Sequence, residues 1–177
     1  MRRAIVLLLG LGLAACSRGG APEVSRELPD TISVSSSAFT DGAKIPARFT
    51  CTGADLAPPL AWSGAPRDTV ELALVVDDPD APGGTYTHWV LFHLDPGLTG
   101  LQEGQVPPDA RQASNSGGEV GYTGPCPPGG PAHHYRFTVY ALSDRLDLPD
   151  RAKLDETMQG ITKAATARGR LTGTFAR

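Results

Sequence analysis

The chain reads as a mostly β protein, an antiparallel β-sandwich of Greek-key type carrying one helix near its C-terminus. Three observations predict this. Short runs of β-branched and apolar residues recur from about residue 31 onward. Most of the 16 prolines fall in turn clusters between those runs, where a sheet tolerates them. A single stretch near the end carries an apolar stripe at helical spacing.

The strand signals come in order at 31–39 (TISVSSSAF), 70–76 (VELALVV), 88–94 (HWVLFHL), 135–142 (YRFTVYAL) and 171–175 (LTGTF). Turn clusters such as 51–59 (CTGADLAPP) and 115–119 (NSGGE) separate them. The helix is expected over 150–168, where Leu154, Met158, Ile161 and Ala165 share a stripe, Pro149 precedes and Gly169 closes. Trp62 and Trp89 read as core or rim packing. No internal repeat and no second domain are visible.

Residues 1–15 read as a signal segment rather than part of the fold. Arg2 and Arg3 precede an apolar run too short to span a bilayer, and Leu13-Ala14-Ala15-Cys16 resembles the bacterial lipoprotein signal, in which the cysteine is lipidated. Ser17 after that cysteine suggests, by resemblance to Gram-negative lipoproteins, the outer membrane. The expected location is the cell envelope, with the domain lipid-anchored and facing the periplasm or the exterior. Residues 16–30 are polar, with Gly and Pro and no apolar period, and read as a flexible tether of about 20 Å reach. The domain then occupies 31–177.

The chain's formal charge is −3; losing Arg2 and Arg3 takes 16 basic residues to 14 against 19 acidic ones, a balance of −5. That balance, with no basic run, argues against a nucleic-acid partner. The acyl chains alone would hold the membrane. With Cys16 given to lipid, Cys51 and Cys126 remain as an even pair in a chain bound for an oxidising space. Without a C-x-x-C, and with wide separation, a structural disulfide is favoured over thiol redox chemistry or a metal site.

Strand alternation points to a site. Leu72, Leu74, Val76 and Asp78 share one face; His88, Val90, Phe92 and Leu94 another; His133, Tyr135, Phe137 and Val139 a third. Each apolar face ends in a polar residue, so neighbouring strands would bring a carboxylate, two imidazoles and a phenol together. Each residue alone also has a structural reading, as a turn carboxylate or a histidine satisfied by carbonyls. His134 has opposite parity to His133 and is expected exposed, and His93 is expected to be structural. Such a cluster, with N–H groups in a Pro/Gly loop, suits an anion such as phosphate, and Asp78 would orient a histidine through its ring N–H. Asp80 would meet an ammonium group on the ligand. Affinity for a phosphorylated headgroup should then rise as pH falls through the histidine range near about 6.5.

DDPDAP followed by THW, then GYTGPCPPGG and HHYRFTVYAL, resemble the two signature regions of the phosphatidylethanolamine-binding (Raf kinase inhibitor-like) proteins, closest to the bacterial branch. FTCTGADLAPPLAWSGAP and the terminal LTGTFAR agree, so the resemblance runs from about residue 32 to 177. It implies two antiparallel sheets and a small pocket for phosphate-like groups or phosphoethanolamine, with no cofactor. Carried over by motif, the binding residues are Asp78, Asp80, Pro82, His88, Pro127, His133 and Tyr135, with no catalytic residue and no metal ligand. His134 departs from the Arg of many relatives, and the turn at Gly83-Gly84-Thr85 is short.

The leading expectation is therefore a binding or regulatory module for a phosphate-containing small molecule or lipid headgroup, with family resemblance adding inhibition of a kinase or protease through an unidentified protein partner. The alternative is a hydrolase or metal-dependent enzyme using Asp78, His88 and His133. Against it, no G-x-S-x-G or H-E-x-x-H is present. A third reading is a protease inhibitor or envelope interaction protein acting through the surface loops at 51–59 and 100–112.

Overall fold

The computed structural model describes residues 27–177. The expected signal segment 1–15, the lipidation site Cys16 and most of the tether lie outside the described residues.

Among the described residues eight strands and one α-helix follow in the order β1 (Ser33–Ser35), β2 (Leu60–Ser63), β3 (Glu71–Asp78), β4 (Tyr86–Leu94), β5 (Gly100–Leu101), β6 (Arg111–Gln112), β7 (His133–Leu142), α1 (Leu154–Ala164) and β8 (Ala165–Phe175). The count of strands is eight in two sheets: β1-β2-β5 form a small sheet, and β6-β4-β3-β7-β8 a large one, with every named pairing antiparallel. The expected mostly β architecture with antiparallel sheets and a C-terminal helix is what forms.

β3 explains the layering. All eight of its residues are buried, because β4 and β7 flank it and both of its faces are covered. Leu72, Leu74 and Val76 pack with Phe137, Val139, Leu60, Trp62 and Leu101 between the two sheets. Ala73 and Val75 pack with Val90, Phe92, Met158 and Ile161 beneath the helix. A strand buried on both faces reads as a continuous apolar run, which is how VELALVV is written.

α1 is shorter than expected. Arg151 has φ +64°, which no helix accommodates, and Leu154 begins the helix with its N–H donating to Ser114 Oγ. Asp155 and Glu156 in the first turn and Lys163 in the last suit the helix dipole. The helix ends at Ala164, and Ala165 is already extended, opening β8. Gly169 does not close the helix. It lies within β8 opposite Val139, where a Cβ would meet the Ile32 carbonyl oxygen at 1.8 Å. The glycine answers a backbone crossing.

Two other boundaries move. Only Ser33–Ser35 of the expected 31–39 run pairs as a strand. Residues 28–30, assigned to the tether, belong to the fold: Leu28 is buried among the helix-side core, the Pro29 carbonyl accepts the Arg168 N–H, and Asp30 pairs with Arg168 at 2.8 Å. A lone Leu between polar neighbours gives no periodic signal. Among the described residues no helix is long and apolar enough to cross a membrane.

Candidate functional site

A cavity of about 300 Å³ opens where the β3, β4 and β7 ends meet the Pro/Gly loop at 121–132. β3 contributes Asp78, β4 contributes Tyr86 and His88, and β7 contributes His133 and Tyr135. The turn after β3 adds Pro82, and the loop adds Thr123, Pro127 and its neighbours as apolar wall.

The loop is stapled rather than free. Cys126 is bridged to Cys51, with Cα atoms 5.4 Å apart and 75 residues between them in sequence. The same segment is held by the Tyr122 hydroxyl donating to the Phe49 carbonyl (2.8 Å), the Gly124 N–H donating to Asp55 Oδ1 (2.7 Å) and the Cys51 N–H donating to the Pro125 carbonyl (3.2 Å). The disulfide expected from cysteine arithmetic thus fixes one wall of the cavity.

Each histidine has one ring nitrogen committed. His133 Nδ1 donates to Asp78 Oδ2 at 2.8 Å, while Asp78 Oδ1 accepts the Asp80 N–H at 2.8 Å. His88 Nδ1 lies 2.7 Å from the Thr123 carbonyl, which only accepts, so that nitrogen carries the proton. Nε2 is the nitrogen left over on both rings. Burial pulls the His88 imidazole below its ordinary value, against the Thr123 hydrogen bond and the Asp78 charge, which act to raise it. Asn115 is a positioning residue that reasoning from sequence passed over: it is buried, its side-chain N–H donates to Thr123 Oγ1, and its oxygen accepts two loop N–H groups.

Tyr135 completes the set. It is fully buried, packs edge-on to His88 with ring centroids 5.3 Å apart, and its hydroxyl has no hydrogen-bond partner among the described residues. Burial, with the Asp78 charge adding to it, pushes the phenol well above its ordinary value, so it stays a neutral donor.

The structure brings together Asp78, Pro82, His88, Pro127, His133 and Tyr135, six of the seven residues named from sequence. Asp80 does not line the cavity. Its Oδ2 accepts from both the backbone N–H (2.8 Å) and Nδ1 (2.7 Å) of the exposed His134, and these bonds hold the carboxyl below its ordinary value. Tyr86 was missed, although it shares parity with His88 two residues on, and it packs against that ring at 4.9 Å.

His88 arrives by a route that strict alternation does not describe. Its supposed face-mates Val90 and Phe92 lie on the helix side, and Leu94 lies between the sheets. Pairing runs Val76 with Trp89 but Asp77 with Thr87, so β4 has one extra residue at His88. This bulge turns the imidazole to the cavity. A second irregularity lies between Leu72 and Leu74, next to His93, whose φ is +58°.

Comparison with known proteins places this arrangement. The family model described as "Phosphatidylethanolamine-binding protein" matches residues 35–176. A Mycobacterium tuberculosis protein named "Putative lipoprotein LppC" is 44% identical over 188 residues, covering 96% of this chain and 92% of its own. A "UPF0098 protein" of Methanothermobacter thermautotrophicus is 41% identical over 145 residues, covering 79% of this chain and 95% of its own. The crystal structure of E. coli YbcL, titled a new member of the mammalian PEBP family, superposes with TM-score 0.78 at 28% identity, covering 83% of this chain and 99% of that one. The core the two sheets enclose, the stapled loop and the match across nearly the whole domain make this chain a member of the phosphatidylethanolamine-binding protein family.

Proposed function

We propose that the protein is a binding module of the cell envelope, carried on a lipid at Cys16, whose cavity receives a phosphate-like anion such as inorganic phosphate or phosphoethanolamine and performs no chemistry on it. One observation carries the reading. The Tyr135 hydroxyl is a buried donor without a partner among the described residues, in a cavity it shares with two imidazoles whose Nε2 atoms accept from a P–OH group or, on a protonated ring, donate to a phosphate oxygen. An orphaned buried donor costs about 1–3 kcal/mol, which a ligand oxygen would recover. A small oxyanion offers several acceptors in the required space.

The acidic rim narrows the ligand. Asp80 is held by His134, so an ammonium group competes with that pair, and the phosphate-like head is what the cavity itself recognises. The hydrolase alternative loses its thiol nucleophile: Cys126, the sulfur in the cavity wall, is bound to Cys51. The envelope location is supported by the lipoprotein-like N-terminus and by the name of the mycobacterial relative. Any protein that reads the ligand-bound state would meet the loops around the cavity mouth.

Titration of phosphoethanolamine, inorganic phosphate and nucleotides, followed by amide chemical shifts, tests the reading. Saturable shifts at Tyr86, Thr123 and Tyr135 that weaken in His133→Ala are expected. No saturable response to any phosphate compound overturns it.

A further inference from the structure

β4 carries a histidine near each end, and β3 pairs irregularly with it beside each one. His88 serves the cavity described above. His93, five residues and about 17 Å along the strand, faces another cavity at the opposite end of the sheet. A non-glycine residue at φ +58° is costly and persists where the surroundings impose it. Bulges of this kind re-aim side chains beside binding sites.

The cavity measures about 470 Å³. Leu98, Pro107, Pro108 and Ala110 give it an apolar wall, and His93, Arg111 and Arg145 face it from another side. Asp95 and Asp109 complete its lining. His93 Nε2 lies 2.6 Å from the Leu146 carbonyl, so that nitrogen donates and Nδ1 is left over. Arg111 spends one N–H group on the Leu148 carbonyl.

Behind this wall sits Glu71, wholly buried. Its Oε2 accepts the Leu146 N–H at 3.3 Å and lies 3.7 Å from His93 Nε2 and 3.8 Å from Arg145 Nε. Its Oε1 has no partner among the described residues. Burial raises the Glu71 carboxyl above its ordinary value. The buried acid backs His93 and Arg145 from within, and both side chains line the cavity.

We propose that this cavity is a second binding site, for a free α-amino-acid-like zwitterion with an apolar side chain. The three elements match in kind: the guanidinium donors of Arg111 and Arg145 for the carboxylate, Asp95 and Asp109 for the ammonium, and the proline-rich wall for the side chain. A phosphate dianion fits poorly, because two carboxylates share the lining.

Leucine, N-acetylleucine and leucine amide, titrated separately against the full-length protein by amide chemical shifts, test this. Leucine is expected to give saturable shifts at Leu98, Ala110, Arg111 and Arg145 and to bind about tenfold more tightly than either capped form. Arg145→Ala, an exposed position that leaves folding intact, should weaken leucine about tenfold and leave leucine amide unchanged; Asp109→Asn should weaken leucine but spare N-acetylleucine. Added inorganic phosphate should not displace leucine. No saturable shift at these residues, or equal binding of all three probes, overturns the proposal.

Discussion

His133 Nδ1 lies 2.8 Å from Asp78 Oδ2, and the other oxygen of that carboxylate is bound to the Asp80 N–H. The ring is therefore fixed in one tautomer by a group that is itself fixed by its own turn. Asp78→Asn should keep the fold, because Asn still accepts the Asp80 N–H, but release the ring and lower phosphate affinity about tenfold, worth about 1.4 kcal/mol. Calorimetric titration of both proteins checks it; equal affinities would show that the pair does not serve binding.

Tyr135→Phe separates stability from binding. The hydroxyl has no partner among the described residues, so its removal should leave unfolding free energy unchanged or raise it by up to about 1 kcal/mol, while phosphate affinity drops. Urea unfolding with a parallel titration reads both. A destabilised variant with full affinity would contradict the role given to this oxygen.

Acid should weaken the fold through His88. Its folded-state value is lowered by burial, so the unfolded chain takes up the proton first. Stability from this residue is complete above the unfolded value near about 6.5 and is lost as pH falls through the lower folded value. His88→Asn preserves a donor for the Thr123 carbonyl and cannot titrate, so its melting temperature should fall less between pH 7 and pH 5. Bound phosphate should offset the loss in the parent protein, since protonated His88 offers a second donor. Parallel melting curves for both proteins would remove His88 from the account.

Reduction of the Cys51–Cys126 disulfide should cost about 2–4 kcal/mol, given the long loop it closes. The cavity should respond as well, because Cys126 lies in its wall. Denaturant midpoints with and without reductant, alongside phosphate titration of Cys51→Ala/Cys126→Ala, test both statements. Unchanged midpoints would mean the bridge contributes nothing measurable.

Gly169→Ala should destabilise by about 2–3 kcal/mol or more, since the new methyl group meets the Ile32 backbone and only a shift of β8 makes room. Gly129→Ala, with nothing within 4 Å, serves as the comparison and should be neutral. Thermal unfolding of the pair decides it.

The strands that were legible in sequence are those whose burial is simple. β3 is covered on both faces and β7 runs apolar to its end, so VELALVV and YRFTVYAL announce themselves. β5 and β6 are two residues each and exist only through their partners Leu60, Ala61, Leu91 and Phe92, which no local pattern encodes. The helix was legible but its end was not, because Ala164 and Ala165 look alike locally and the turn into β8 is set by pairing with Leu142. The site shows the same division. Asp78, His133 and Tyr135 follow from alternation, whereas His88 reaches its place through a bulge that alternation excludes. Asp80 lies outside the cavity lining, and its capture by His134 depends on two chain segments meeting, which no local pattern encodes.

Pro29 and Asp30 grip β8 at Arg168, opposite Tyr140, whereas the mouth of the first cavity lies by His133, seven residues or about 23 Å farther along β7. The described chain thus joins the fold at the far pole of the molecule, through residues 28–30. Tension on the segment before Leu28 would turn that opening the other way, toward whatever diffuses past.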